Sequence, residues 1–149
     1  MERVPKTALV TARVLMSFVF ALNRPGIIDQ TIPARKLMEL RAPVTLVPLI
    51  MLFGRALELV AGIALALGIL PNLSALALLA FLVPATFVSH SFWLAAGTPA
   101  FQGQLINFSR NIAIWAGLLF IASSPGQTTL VSAIKTKAKR FMLPSAPSA

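Results

Sequence analysis

Few side chains in this sequence are able to do chemistry, and the most unusual of them is an acid inside an apolar run. The 149 residues include no cysteine, one histidine (His90) and four acidic residues. These counts exclude disulfides and thiol catalysis, and they exclude a haem held by two histidines of this chain. Glu58 lies within a long apolar run. Because ionisable groups are costly inside a bilayer, we expect Glu58 to face the interior of a helix bundle.

Glu58 belongs to a stripe of small residues. Gly54, Gly62 and Ala66 repeat with it at four-residue spacing. A helix would therefore place all of them on one face, where a second helix is able to approach closely. Arg55 lies three residues before Glu58 and is placed to pair with it within the helix.

Several other cations and amides are candidates for the same interior. Arg13 lies in the first apolar run, and its side chain is long enough to reach Glu58 across a helix contact. Arg110, Asn107 and Asn111 form a second polar patch in the last apolar run. Two interpretations stay open. Either the charges form an ion network that fixes helix packing, or the surplus arginines attract a lipid phosphate, a reduced quinone or a carboxylate of another subunit.

His90 lies at the end of an apolar run, just before Phe92 and Trp93. Aromatic residues at such a position are typical of a membrane interface. We expect His90 to anchor the chain there or to cap a helix. The alternative is that its neutral imidazole hydrogen-bonds a quinone carbonyl.

The composition is that of a membrane protein. Hydrophobic residues make up 57% of the chain and charged residues 11%, whereas about a quarter of a soluble domain is charged. Four helices of about 20 residues would take roughly 80 residues. The sequence therefore predicts an all-α integral membrane four-helix bundle, with a bend at Pro84 and spans over 8–22, 44–70, 73–89 and 106–123. A short helix starting at Thr31 in the first loop is predicted to lie at the membrane interface.

The chain divides into a membrane domain over 1–127 and a basic tail over 128–149. The tail is predicted to form a basic amphipathic helix and then a flexible end. Nucleic acid is not an expected partner, because the tail's cations suit anionic lipid headgroups: Lys135, Lys137, Lys139 and Arg140. Basic residues near both termini favour cytoplasmic N and C termini, while four cations in the first loop oppose that orientation.

Six phrases, in order, resemble the DoxX family of small four-span bacterial membrane proteins. The resemblance covers about 12–130, and two features depart from the family pattern. Ala21-Leu22-Asn23-Arg24 replaces a Gly-x-x-Lys sequence, and Arg110 stands where lysine is common. The phrases that carry the resemblance are Arg13, Met38-Glu39-Leu40-Arg41-Ala42-Pro43, the run from Glu58 to Gly68, His90-Ser91-Phe92-Trp93, Phe108-Ser109-Arg110-Asn111 and Gly117-Leu118-Leu119.

The resemblance implies a four-helix fold in the bacterial inner membrane and an association with membrane oxidoreductases. The first hypothesis is a non-catalytic accessory subunit of a larger, bioenergetic membrane complex, in contact with the bilayer and other membrane subunits. The alternative is a quinone-binding component of an oxidoreductase, with Glu58, Arg110 and His90 at the quinone. A small transporter ranks last, because internal repeats are lacking. No covalent cofactor is expected, and the absence of metal, thiol, flavin or nucleotide motifs favours a role other than an enzyme.

Overall fold

A computed structural model describes residues 5–22, 31–39, 41 and 43–124 of the chain. The described residues contain no strand. They form five α-helices, and a 3₁₀ turn over Phe92–Ala95 lies between the last two. The helices are α1 (Lys6–Leu22), α2 (Thr31–Glu39), α3 (Val47–Leu67), α4 (Pro71–Ser89) and α5 (Phe101–Ser123). The predicted all-α membrane bundle is confirmed. The predicted tail helix over 128–149 lies outside the described residues.

Four of the helices form a ring. α1 packs against α3, α3 against α4, α4 against α5 and α5 against α1, while α2 contacts α3 and α4. α3 and α5 therefore lie across the diagonal of the ring. We call the end of the bundle at residues 68–70, between α3 and α4, the turn end, and the opposite end, at residues 90–100, the loop end.

Two glycines show how α1 is aligned with α3: Gly62 within α3 and Gly68 directly after it. A Cβ added at Gly62 would lie 3.7 Å from the Cβ of Phe20, and one added at Gly68 would lie 2.8 Å from Nη1 of Arg13. Moving back along α1 thus moves forward along α3, so the two helices are antiparallel. The start of α1 and the end of α5 both lie at the turn end.

The core lies nearer the turn end. Leu65 of α3, Leu78 of α4, and Leu118 and Ile121 of α5 are each 0% exposed and belong to one cluster. Phe20 of α1 completes it. All four ring helices therefore contribute to a single apolar centre, which fixes the packing of the polar side chains around it.

Within the described residues, three helices are long and apolar enough to cross a membrane. They span Val47–Leu67, Pro71–Ala95 (α4 with the 3₁₀ turn) and Phe101–Ser123. The described part of α1 has 17 residues, about 25 Å of helix, whereas a span takes about 20 residues. The fourth crossing stays a prediction.

Prolines explain where two helices begin. α4 starts at Pro71 rather than at Leu73 as predicted, because proline is pre-organised for the first helical position. α5 starts at Phe101, five residues before the predicted start at Ile106. Pro99 precedes that start, and Gly103 only weakly disfavours a helix. Pro84 lies inside α4 without ending it.

Candidate functional site

Glu58 is buried at the middle of α3, where its side chain meets the interior of the ring. The residue is 7% exposed, which confirms the prediction that it faces inward. A Cβ added at Gly54, one turn earlier, would lie 2.6 Å from Cε2 of Phe81 on α4. Gly62, one turn later, faces Phe20 on α1. The small-residue stripe thus contacts α4 at one glycine and α1 at the other, and Glu58 lies between the two contacts.

Arg13 is buried at the turn end. It is 5% exposed, and its guanidinium lies against Gly68. Gly68 is ten residues beyond Glu58 along the chain, a distance of about 15 Å on a helix. The reach from Arg13 to Glu58 stays a prediction, and the contact seen for the guanidinium is the one with Gly68 at the turn end. The guanidinium lies at the C-terminal end of α3, where the helix dipole favours a cation.

Arg55 forms no ion pair with Glu58. Its Nε atom is buried and has no hydrogen-bond partner, and Arg55 forms no ion pair within the described residues. Positions three apart differ by about 60° around a helix, and here Glu58 is buried while Arg55 is half-buried. Glu39 of α2 forms ion pairs with two neighbours on its own helix: Nε of Arg35 at 3.6 Å and Nζ of Lys36 at 3.2 Å.

Side-chain amides and hydroxyls close the turn end. Nδ2 of Asn72, in the first turn of α4, donates to the carbonyls of Ala122 at 2.6 Å and Ser124 at 3.1 Å. The Ser74 hydroxyl donates to the carbonyl of Ile69 at 3.0 Å. These bonds satisfy carbonyls that the ends of α5 and α3 leave without helical partners. Sequence reasoning treated Asn72 only as a turn residue, and the partner of its amide could not be read from spacing.

Thr86 joins α4 to α5 near the loop end. It is 1% exposed; its hydroxyl donates to the carbonyl of Leu82 at 2.7 Å and accepts from Nδ2 of Asn111 at 2.9 Å. The backbone N–H of His90 donates to the Thr86 carbonyl at 2.8 Å. Asn111 therefore turns toward α4. Sequence reasoning missed Thr86, although a hydroxyl two residues after Pro84 was a usable signal.

His90 caps α4, which confirms one of the two structural roles expected of it. Its ring is half-buried, and Nδ1 lies 3.2 Å from Oε1 of Gln104 on α5. Both the backbone and the ring of His90 therefore tie the end of α4 to its surroundings.

Six aromatic rings pack beside His90 and form what we call the aromatic cluster. Neighbouring rings have centroids 5.1 to 6.2 Å apart, the range of favourable edge-to-face pairs. The cluster joins α4, the 3₁₀ turn and α5 from Phe101 to Trp115. The Nε1 atom of Trp115 is buried with no hydrogen-bond partner. The members are Phe87, Phe92, Trp93, Phe101, Phe108 and Trp115.

Arg110 faces outward from α5. It is exposed, whereas Asn107 and Asn111 are half-buried, so the predicted patch of three polar residues is divided between two directions. α5 is also the least covered of the long helices. Of the 18 consecutive residues that make up its most apolar stretch, 11% are buried, whereas 28% are buried in the corresponding stretches of α3 and of α4. The outer face of α5 is thus a large surface that the described chain leaves open, with a guanidinium on it.

Two further predictions concern ligands. The described residues hold no group of three or more histidine, aspartate or glutamate side chains that could bind a metal. The predicted lipid-binding cations of the tail lie outside the described residues: Lys135, Lys137, Lys139 and Arg140.

A family model described as DoxX matches residues 8–91, which is more than half of the chain. No curated protein matches the chain, and no solved structure does. The matched region includes Arg13, Arg55, Glu58 and His90, whereas Arg110 lies beyond it.

Proposed function

This chain belongs to the DoxX family, and from that premise we propose that it is a non-catalytic accessory subunit that packs against a larger partner within the membrane. Its long apolar helices place it in the bilayer. The family resemblance favours a bioenergetic or redox complex of the bacterial inner membrane as the host. The start of α1 and the end of α5 both lie at the turn end, which supports termini on one side of the membrane, the basic and cytoplasmic side.

The observation that carries this proposal is the open outer face of α5. Only 11% of the residues in the most apolar stretch of α5 are buried. Most of its side chains are therefore left to contact lipid or another protein. Lipid alone suits apolar side chains, but Gln102 and Arg110 are exposed on this helix as well. Polar side chains in a span normally turn toward protein or water, so a protein partner on α5 accounts for the polarity of its surface.

The interior of the bundle supports the same function, because its polar groups are used for packing. The Ser17, Ser74 and Thr86 hydroxyls all donate to backbone carbonyls of the bundle. Asn72 and Asn111 tie α4 to α5. The bonds of Asn72 and Asn111 order α4 relative to α5. A well-ordered bundle presents a fixed outer surface, which is what a packing subunit requires.

The alternative hypothesis placed a quinone at Glu58 and Arg110 together. Glu58 is buried on α3, and Arg110 is exposed on α5 across the diagonal of the ring. One ligand of quinone size would not engage both side chains in this arrangement. The geometry therefore favours the accessory subunit over the quinone-binding component.

Site-specific photocrosslinking tests the proposal. A photoreactive residue at Ala113, exposed on α5, should yield adducts with a defined second membrane protein in intact cells. The same residue at Leu52, which is 65% exposed on α3, should yield mainly lipid adducts. We expect protein adducts from Ala113 to exceed those from Leu52 several-fold, with the partner identified by mass spectrometry. Equal yields, or lipid adducts alone at both positions, would contradict the proposed function.

A further inference from the structure

We propose that Arg110 binds a carboxylate on a transmembrane helix of the partner subunit. This inference rests on the proposed function and names the chemistry of its contact. The contact surface is the outer face of α5 that carries Arg110, Ser109, Ala113 and Ala116, all of them exposed.

The depth of Arg110 makes a protein ligand the better match. It is nine residues from the first residue of α5, about 14 Å along the helix. An arginine stem covers only about half of that depth when it extends toward headgroups. Arg110 forms no ion pair within the described residues. A guanidinium at this depth is costly unless an anion meets it, and a carboxylate meets it with two parallel hydrogen bonds.

Small side chains beside Arg110 allow the approach that such a pair needs. Ser109, Ala113 and Ala116 share one face of α5, and Arg110 lies at its edge. The hydroxyl of Ser109 donates to the carbonyl of Leu105 in its own helix at 2.9 Å. Ser109 therefore presents little bulk and no free donor to a neighbour. A helix that packs here comes close enough for its acidic side chain to reach the guanidinium.

A second copy of the chain does not supply the carboxylate. Glu58 is buried in its own bundle. Glu39 lies on α2, outside the long apolar helices, and is already within 4 Å of Arg35 and Lys36. The other two acids, Glu2 and Asp29, lie outside the apolar runs of the sequence. With a net charge of +9, copies of this chain repel rather than complement one another, so the acid belongs to a different protein.

Charge exchange tests the inference, with the photoreactive residue at Ala113 as the probe. Arg110→Leu and Arg110→Glu should each reduce the partner adduct by about threefold to thirtyfold, the range for an interhelical polar contact in a membrane. Arg110→Lys should retain most of it. Arg35→Leu, which removes an exposed cation of α2, should leave the adduct unchanged. Sequencing of the crosslinked peptide should show an aspartate or glutamate on the partner helix. Changing that acid to lysine should restore the adduct with Arg110→Glu.

The outcomes separate this inference from the proposed function. If the adduct forms in the wild type and persists in Arg110→Leu and Arg110→Glu, the carboxylate contact is overturned while the accessory role stands. An adduct with a second copy of the chain, or a crosslinked helix that lacks an acid, also overturns the contact. If Ala113 crosslinks only to phospholipid in the wild type, both proposals fail.

Discussion

The variant Glu58→Lys is expected to abolish accumulation of the folded protein in membranes. Glu58 is 7% exposed, between the Gly54 and Gly62 contacts of α3. A lysine there buries a cation in a bundle that already contains buried Arg13 and half-buried Arg55. Leaving a buried charge without a counter-charge costs about 3–5 kcal/mol. That is a large part of the roughly 5–15 kcal/mol that stabilises a folded domain.

The measurement is the amount of monodisperse protein recovered after extraction in mild detergent. Glu39→Lys is the matched control, because it makes the same change at an acid whose side chain is 51% exposed. We expect it to accumulate at close to the wild-type level. Glu58→Gln keeps the shape and removes the charge, so it should fall between the two. Equal recovery of Glu58→Lys and Glu39→Lys would show that the acid on α3 is not sequestered.

Gly68→Ala is expected to destabilise the bundle through two effects at one position. Gly68 ends α3 with φ +68°, a conformation that costs about 1–2 kcal/mol for a residue with a Cβ. The new Cβ would also lie 2.8 Å from Nη1 of buried Arg13, so the guanidinium must shift within its packed surroundings. Displacing a packed side chain adds roughly 1–3 kcal/mol.

Gly97→Ala isolates the second effect. Gly97 has φ +77°, and an added Cβ there would meet nothing within 4 Å. Both variants therefore carry the cost of placing a Cβ on a backbone with positive φ. Only Gly68→Ala also displaces Arg13. We expect the free energy of unfolding, measured by denaturant titration in detergent, to fall further for Gly68→Ala by about 1–3 kcal/mol. Equal losses for the two variants would mean that Arg13 does not depend on the space at Gly68.

The fold was predictable because apolar runs and their breaks carry most of its information. The Pro71-Asn72 break and the long apolar run before it predict α3 and α4 as an antiparallel pair, and the structure has them so. The inward position of Glu58 was predictable for the same reason, since the small residues at four-residue spacing mark the face that packs. Helix starts were less predictable. Gly103 suggested that a loop continued to Leu105, but a single glycine disfavours a helix only weakly, and α5 includes it.

Contacts between helices could not be predicted from spacing. Arg13 and Glu58 were expected to meet because both lie within apolar runs, yet their distance depends on how α1 slides along α3. Phe20 packs opposite Gly62, so Arg13, seven residues earlier, falls opposite Gly68. The hydrogen bonds of Asn72 and Thr86 depend in the same way on the register between α4 and α5. The register between two helices is set by how their side chains pack in three dimensions. That packing cannot be read from the residue spacing of a single sequence.

The most direct test of the accessory role is the protein composition of the particle that surrounds this chain in its native membrane. Extraction into polymer-bounded nanodiscs keeps neighbouring helices and lipids together, and mass spectrometry of the purified particle counts its chains. The proposed function predicts a second, different membrane protein in fixed stoichiometry with this one. Particles that contain this chain and lipid alone would contradict it.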